Sequence, residues 1–215
     1  MTATERSADR RRRILRAAAQ VIAERGFGET RLSDVAEAAD VSAPLLVYYF
    51  STREKLLIEA LRFTEDCFYT EISEHLDRLS TAHDKLAELV LICCSPERSI
   101  GLPQGWALWF DLWSQALRNP QAANDRSELD TRWRGVVREI VIEGQQTGEF
   151  ATTADPDRFT HLLTAVLDGL GVQVALSDAT VTPTLALHVA AECCALHLKT
   201  EFQFDNDPFG TLTIY

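Results

Sequence analysis

The stretch LSDVAEAADVSAPLLVYYF, Leu32 to Phe50, decides the fold. Its first half places Leu32, Val35, Ala36 and Ala39 on one helical face, and its second half does the same with Leu46 and Phe50. Only three or four residues separate the two. Asp40 suits a left-handed turn, Val41 plugs the core beneath it, Ser42 caps the following helix, and Pro44 stands in a first turn where the missing N–H costs nothing. Two short helices joined so tightly form a helix-turn-helix, an arrangement that serves both DNA binding and ordinary all-α packing.

Helical periodicity continues on both sides. Upstream, a helix from about Ala8 to Arg25 buries Ile14, Ala17, Ala18, Val21 and Ile22 and stops at Gly26, with Phe27 placed for the hydrophobic contact of a Schellman cap. Downstream, Ser51 with Glu54 spells a capping box opening a helix over about 52–79, and Thr81 with Asp84 opens another to about Cys94. Pro96, Gly101 and Pro103 mark a loop. Further helices are expected over Pro103–Arg118, ending before Asn119-Pro120, and from about Asp125 to Thr147, stopped by Gly148. Asp155-Pro156 and Thr182-Pro183 start two more, running to about Ser177 and about Thr200. Period-2 alternation and hairpin turns are missing, so the expected class is all-α with about nine helices and a tail over 202–215.

The chain has 215 residues, 46% hydrophobic and 25% charged, which suits a folded protein and excludes disordered or collagenous classes. Apolar runs at Leu86–Cys94 and Leu162–Leu176 are broken by Glu88 and Asp168, too short for a membrane span. The polar, arginine-rich start lacks the apolar region of a secretory signal, which places the chain in the cytoplasm. Five cysteines in two vicinal pairs and one single fit reduced thiols there. The net charge of −11 hides a partition. Residues 1–55 carry ten basic against eight acidic side chains, and the remainder eleven against twenty-four. Arg6, Arg10, Arg11, Arg12, Arg13 and Arg16 form a local basic footprint of the kind that binds phosphate, or else a solvated helix face.

The basic first helix, Glu24-Arg25-Gly26-Phe27, Thr30, SDVAEAA at Ser33 to Ala39, Val41-Ser42, and Tyr48-Tyr49-Phe50 before Thr52-Arg53-Glu54-Lys55-Leu56 together resemble the tetracycline-repressor (TetR) family of bacterial transcription regulators, from about Arg12 to Ala60. The resemblance implies an all-α homodimer. Residues 1–55 would be a DNA-binding domain with a basic N-terminal arm, and 56–201 an effector-binding and dimerisation domain using its last two helices. Two positions depart from the family pattern: Asp40 stands where the turn usually has Gly, and Val47 where the recognition helix usually has Tyr. WxxWFDLW from Trp106, Trp133-Arg134 and LDGL from Leu167 are similar to the choline- and polyamine-responsive branch. The implied partners are a double-stranded operator, a small-molecule effector and a second copy of the chain, with no membrane and no cofactor.

On the outer surface of the recognition helix stand Ala43, Pro44, Leu45, Val47, Tyr48 and Tyr49, none with the amide or guanidinium fork that reads guanine or adenine. Contact to thymine methyls and from the Tyr49 hydroxyl remains, while Tyr48 reads more readily as core. The resemblance places Arg53 where a lysine commonly contacts phosphate, and Thr30, Arg31 and Ser33 flank a helix N-terminus favourable to phosphate.

Trp106, Trp109, Phe110, Trp113 and Leu117 share one helical stripe, and Trp133 lies on the next helix with Glu143 at the stripe's edge. Such a set can be plain core, with Glu143 paired to Arg132, or an aromatic cage with a carboxylate that suits a hydrophobic amine or polyamine. Ala165, Asp168, Gly171, Ala186, Ala190 and Cys193 are candidates for the dimer interface. Cys193, Cys194 and His197 open an alternative, a metal- or thiol-redox-sensing regulator, although no metal site is assigned because the spacing matches no zinc-finger pattern. The absence of GxSxG, P-loop, HExxH and GxGxxG patterns indicates no catalytic residue and no enzyme.

Overall fold

The structure is a computed structural model that describes residues 3–95 and 105–200. The expected loop around Pro96–Pro103 and the tail over 202–215 lie outside these residues. Nine α-helices occur among them and no strand: α1 (Ala3–Arg25), α2 (Leu32–Ala38), α3 (Ala43–Phe50), α4 (Arg53–Leu76), α5 (Ala82–Cys94), α6 (Gly105–Ala116), α7 (Pro120–Thr147), α8 (Pro156–Ala175) and α9 (Pro183–Leu198).

Local chemistry sets most boundaries. Thr81 Oγ1 accepts from Asp84 N–H, Asp155 Oδ1 from Asp157 and Arg158 N–H, and Thr182 Oγ1 from Leu185 N–H, which satisfies first-turn donors that would otherwise lack partners. Three boundaries differ from expectation. α1 starts five residues early, at Ala3. α7 starts at Pro120 rather than near Asp125, because Asn119 Oδ1 accepts from Gln121 and Ala122 N–H and so caps the helix itself. The Ser51–Glu54 capping box does not start α4. Ser51 ends α3 at φ 63°, and Thr52 Oγ1 accepts from Lys55 N–H in its place.

The helices fall into two compact units, one drawn from Met1–Glu71 and Gly101–Leu129, the other from Ile72–Ile100 and Asp130–Tyr215. In the first, Ile14, Ala18 and Ile22 of α1 pack with Val35 and Ala36 of α2, Leu46 and Phe50 of α3, Leu56, Leu57, Ala60 and Leu61 of α4, and Leu108 and Leu112 of α6. This packed unit runs past residue 55, because the apolar face of α4 closes the underside of the helix-turn-helix. In the second unit α5, α8 and α9 pack on one another, burying Leu86, Val90, Phe159, Leu163, Leu167, Leu187 and Ala191.

Gly144 on α7 marks a close approach in the second unit. A Cβ there would lie 2.1 Å from Cδ2 of Phe150, whose ring is itself buried and cannot retreat. Overpacking of this kind costs about 3 kcal/mol, which outweighs the roughly 1 kcal/mol that alanine gains over glycine in a helix. Gly144→Ala is therefore expected to lower stability by about 2 kcal/mol in urea unfolding.

Candidate nucleic-acid interface and effector helix

Asp40 takes the left-handed conformation at φ 53°, and Val41 N–H donates to Ala36 O at 3.0 Å, so the turn closes without glycine. α3 then directs Leu46 and Phe50 inward, both fully buried. Ala43, Pro44, Val47 and Tyr48 are exposed, while Leu45 and Tyr49 are half-buried. The core placement expected for Tyr48 is corrected: its side chain is 80% exposed and meets Tyr49 edge-on, with centroids 5.4 Å apart. The Tyr49 hydroxyl lies 3.0 Å from Ser7 Oγ of α1. The outer face of α3 is thus a set of methyls, rings and two hydroxyls, suited to thymine methyls and backbone oxygens.

Two expected phosphate contacts are spent inside the domain. Thr30 is 1% exposed; its Oγ1 donates to Gly26 O at 2.8 Å and its N–H to the same oxygen at 3.2 Å, covering the end of α1. Arg53 turns inward too. Its Nε donates to Thr30 O at 2.6 Å, its Nη2 to Phe27 O and to Gly28 O, and its Cζ sits 5.4 Å above the Phe27 ring. The guanidinium fits because the loop after Gly26, itself at φ 81°, turns several carbonyls one way and five fixed donors can serve them at once. Arg31 and Ser33 stay exposed at the N-terminus of α2.

Sequence reasoning missed Asp111 of α6, whose Oδ2 accepts from Phe27 N–H at 2.7 Å and so holds the same loop. Nothing in the local pattern signals a partner 84 positions away.

α6 faces the first unit's core with Leu108 and Leu112, and Trp109 packs partly against it. Trp106, Phe110 and Trp113 form a half-buried ladder, with centroids 6.0 Å apart for Trp106–Phe110 and Phe110–Trp113 and 6.2 Å for Trp106–Trp113. Leu117 leaves the stripe, lies past the end of the helix and is 83% exposed. Trp133 and Glu143 lie on the part of α7 in the second unit. There Lys85 Nζ donates to both Glu143 oxygens, at 2.7 and 2.8 Å. The Glu143 charge is thus already neutralised, by Lys85 rather than Arg132, which corrects its assignment as counter-charge to an effector.

The family model described as "Bacterial regulatory proteins, tetR family" matches residues 14–60, and that described as "BetI-type transcriptional repressor, C-terminal" matches residues 84–199. The chain belongs to the TetR family. It is 22% identical to the HTH-type transcriptional regulator BetI of Rhizobium meliloti (strain 1021) over 88% of this chain and 90% of that one. With the HTH-type transcriptional repressor KstR2 of Rhodococcus jostii (strain RHA1) the identity is 29% over 71% and 73%. Among solved structures, a transcriptional regulator from Saccharomonospora viridis in complex with choline superposes with a TM-score of 0.77 at 26% identity, over 88% of this chain and 97% of that one. As a TetR-family protein the chain is a DNA-binding regulator of transcription.

In the second unit of this TetR regulator, three of the residues expected at a dimer interface point inward. Ala186 and Ala190 are fully buried, because α9 turns that stripe toward α5 and α8, and Gly171 of α8 is buried as well. Ala165 and Asp168 are exposed and Cys193 is half-buried. The uncovered apolar stripe of α9 is Leu185, Val189 and Leu196, and Leu162 of α8 and Leu176 at its C-cap are also exposed. The thiols do not support a sensor: burial raises Cys193 and, further, Cys194, which disfavours the reactive thiolate at both. His197 Nδ1 is engaged with Cys193 O at 2.9 Å. Among the described residues no three His, Cys, Asp or Glu groups converge to hold a metal.

Proposed function

We propose that this TetR-family protein is a cytoplasmic, homodimeric repressor that leaves a pseudo-palindromic operator when an organic cation binds against the aromatic ladder of α6. The observation that carries the reading is the ladder itself. Trp106, Phe110 and Trp113 are half-buried rings whose faces attract a quaternary or protonated amine, and choline accompanies the similar Saccharomonospora viridis regulator. Trp109, on the same helix, completes the aromatic set proposed for the effector. Dimerisation follows from the operator, since one short helix per subunit makes few base contacts and two-fold symmetry doubles them at half-sites about one helical turn apart. The paired surface is the Leu162, Ala165, Leu176, Leu185, Val189 and Leu196 face of α8 and α9.

An effector acts only through its preference for the released geometry; a differential of roughly 3 kcal/mol weakens operator binding about a hundredfold. All four tryptophans lie between Trp106 and Trp133, so indole emission reports the effector helix and its successor. Choline titrated into the protein–operator complex should change that emission and release DNA over one concentration range. Release by neutral or anionic compounds, with choline inert in both signals, would overturn the cation reading and leave the regulator standing.

A further inference from the structure

Residues 14–60, the part that matches the TetR DNA-binding domain, carry five basic against seven acidic side chains, so its net charge is −2. Two of the five basic groups are occupied, Arg53 on the loop carbonyls and Arg25 with Asp34 at 3.1 Å. A polyanion needs cations from elsewhere, since phosphate neutralisation supplies most of the sequence-independent affinity for DNA. They stand immediately upstream. α1 starts at Ala3; residues 5–13 are all exposed and hold five arginines against two acids.

This extension is held in place. Ser7 and Arg11 lie on the same side of α1 as Ile14 and Ala18. Ser7 meets the Tyr49 hydroxyl, and Arg11 pairs with Glu59 and lies with Cζ 5.3 Å above the Phe50 ring. Both anchors sit at the C-terminal end of the recognition helix or beside it. Arg6, Arg10 and Arg13, at spacings of four and three, line the helix edge next to that anchored face, and among the described residues none has a carboxylate partner.

We propose that Arg6, Arg10 and Arg13 form a second DNA contact, a cationic edge that grips operator phosphates outside the bases under α3 and supplies the charge that the matched domain lacks. Three phosphate contacts per subunit, six in the homodimer, add about 5.4 to the slope of log affinity against log salt, so raising salt from 50 to 200 mM should weaken the wild type about two thousand times more than a variant without them.

The test uses the full chain and a duplex selected by it from a random-sequence library, prepared with long flanks and also trimmed to the bases under the recognition helices. On the flanked duplex Arg6→Ala/Arg10→Ala/Arg13→Ala should show the shallower slope with unchanged sequence preference, and the corresponding triple lysine variant should restore the slope. On the trimmed duplex the alanine variant and the wild type should bind alike. An unchanged slope on flanked DNA would overturn the proposal, as would a slope lost equally on both duplexes. Selective binding of the wild type to anionic vesicles, with no change on DNA, would assign the edge to a membrane surface instead.

Discussion

Leu185→Glu/Val189→Glu should give a folded monomer that no longer recognises operator, and Ala190→Glu one residue on should not fold its unit at all. Val189 is 38% exposed in the single chain and Leu185 is similarly uncovered, so glutamates there meet water until a second subunit arrives. In the dimer they would be desolvated without partners, a cost of several kcal/mol per ion that no apolar contact returns. A monomer keeps one recognition helix, and specific affinity is expected to fall by about a thousandfold or more toward the non-specific level. Ala190 has no exposed surface and faces the packing of α5, α8 and α9, so a carboxylate there has no route to solvent. Light scattering reads the mass of the first variant and circular dichroism the loss of helix in the second. A stable dimer with both glutamates in place would move the interface off α8 and α9.

Arg53→Ala is expected to act on the fold of the DNA-binding unit rather than on its attraction to phosphate. Removing the guanidinium strips the charged donor from Thr30 O, Phe27 O and Gly28 O and removes the stack on Phe27. Hydrogen bonds to a charged group contribute roughly 1.5–3 kcal/mol each, and the released carbonyls regain water, so a net loss of about 3 kcal/mol is expected. In a chain of this length that lowers Tm by roughly 6–12 °C. Arg53→Lys should recover little, since one ammonium cannot span carbonyls that a planar fork reaches together. Below the melting range the operator salt slope of Arg53→Ala should match the wild type. Unchanged Tm with a flattened slope would return Arg53 to the phosphate backbone.

Most of the fold was legible because its signals are local. Thr81, Asp155-Pro156 and Thr182-Pro183 each start a helix through atoms within three residues of themselves, Ser42 stands at the N-cap of α3 without a side-chain bond and leaves that start to Pro44, and Asp40 takes its left-handed turn through its own backbone. Asn119-Pro120 was misjudged because a cap and a stop use the same residue types, and only the bonds from Gln121 and Ala122 N–H distinguish them. The inward pair Leu46 and Phe50 followed from spacing alone, and so did the aromatic ladder of α6 apart from Leu117.

By itself the sequence determined the all-helical class, the helix-turn-helix and the TetR resemblance, since each rests on short-range pattern. The tertiary structure alone decided what the long side chains hold and which stripe of an apolar helix faces outward. Arg53 and Asp111 converge on the loop after Gly26 from positions 26 and 84 residues from Phe27, and Lys85 meets Glu143 across 58. α9 is apolar nearly all round, so periodicity yields two equivalent stripes, and burial against α5 and α8 selects Ala186 and Ala190 for the core and leaves Leu185 and Val189 uncovered. The choice is made by close packing against the neighbouring helices, a constraint that exists only once those neighbours are in place.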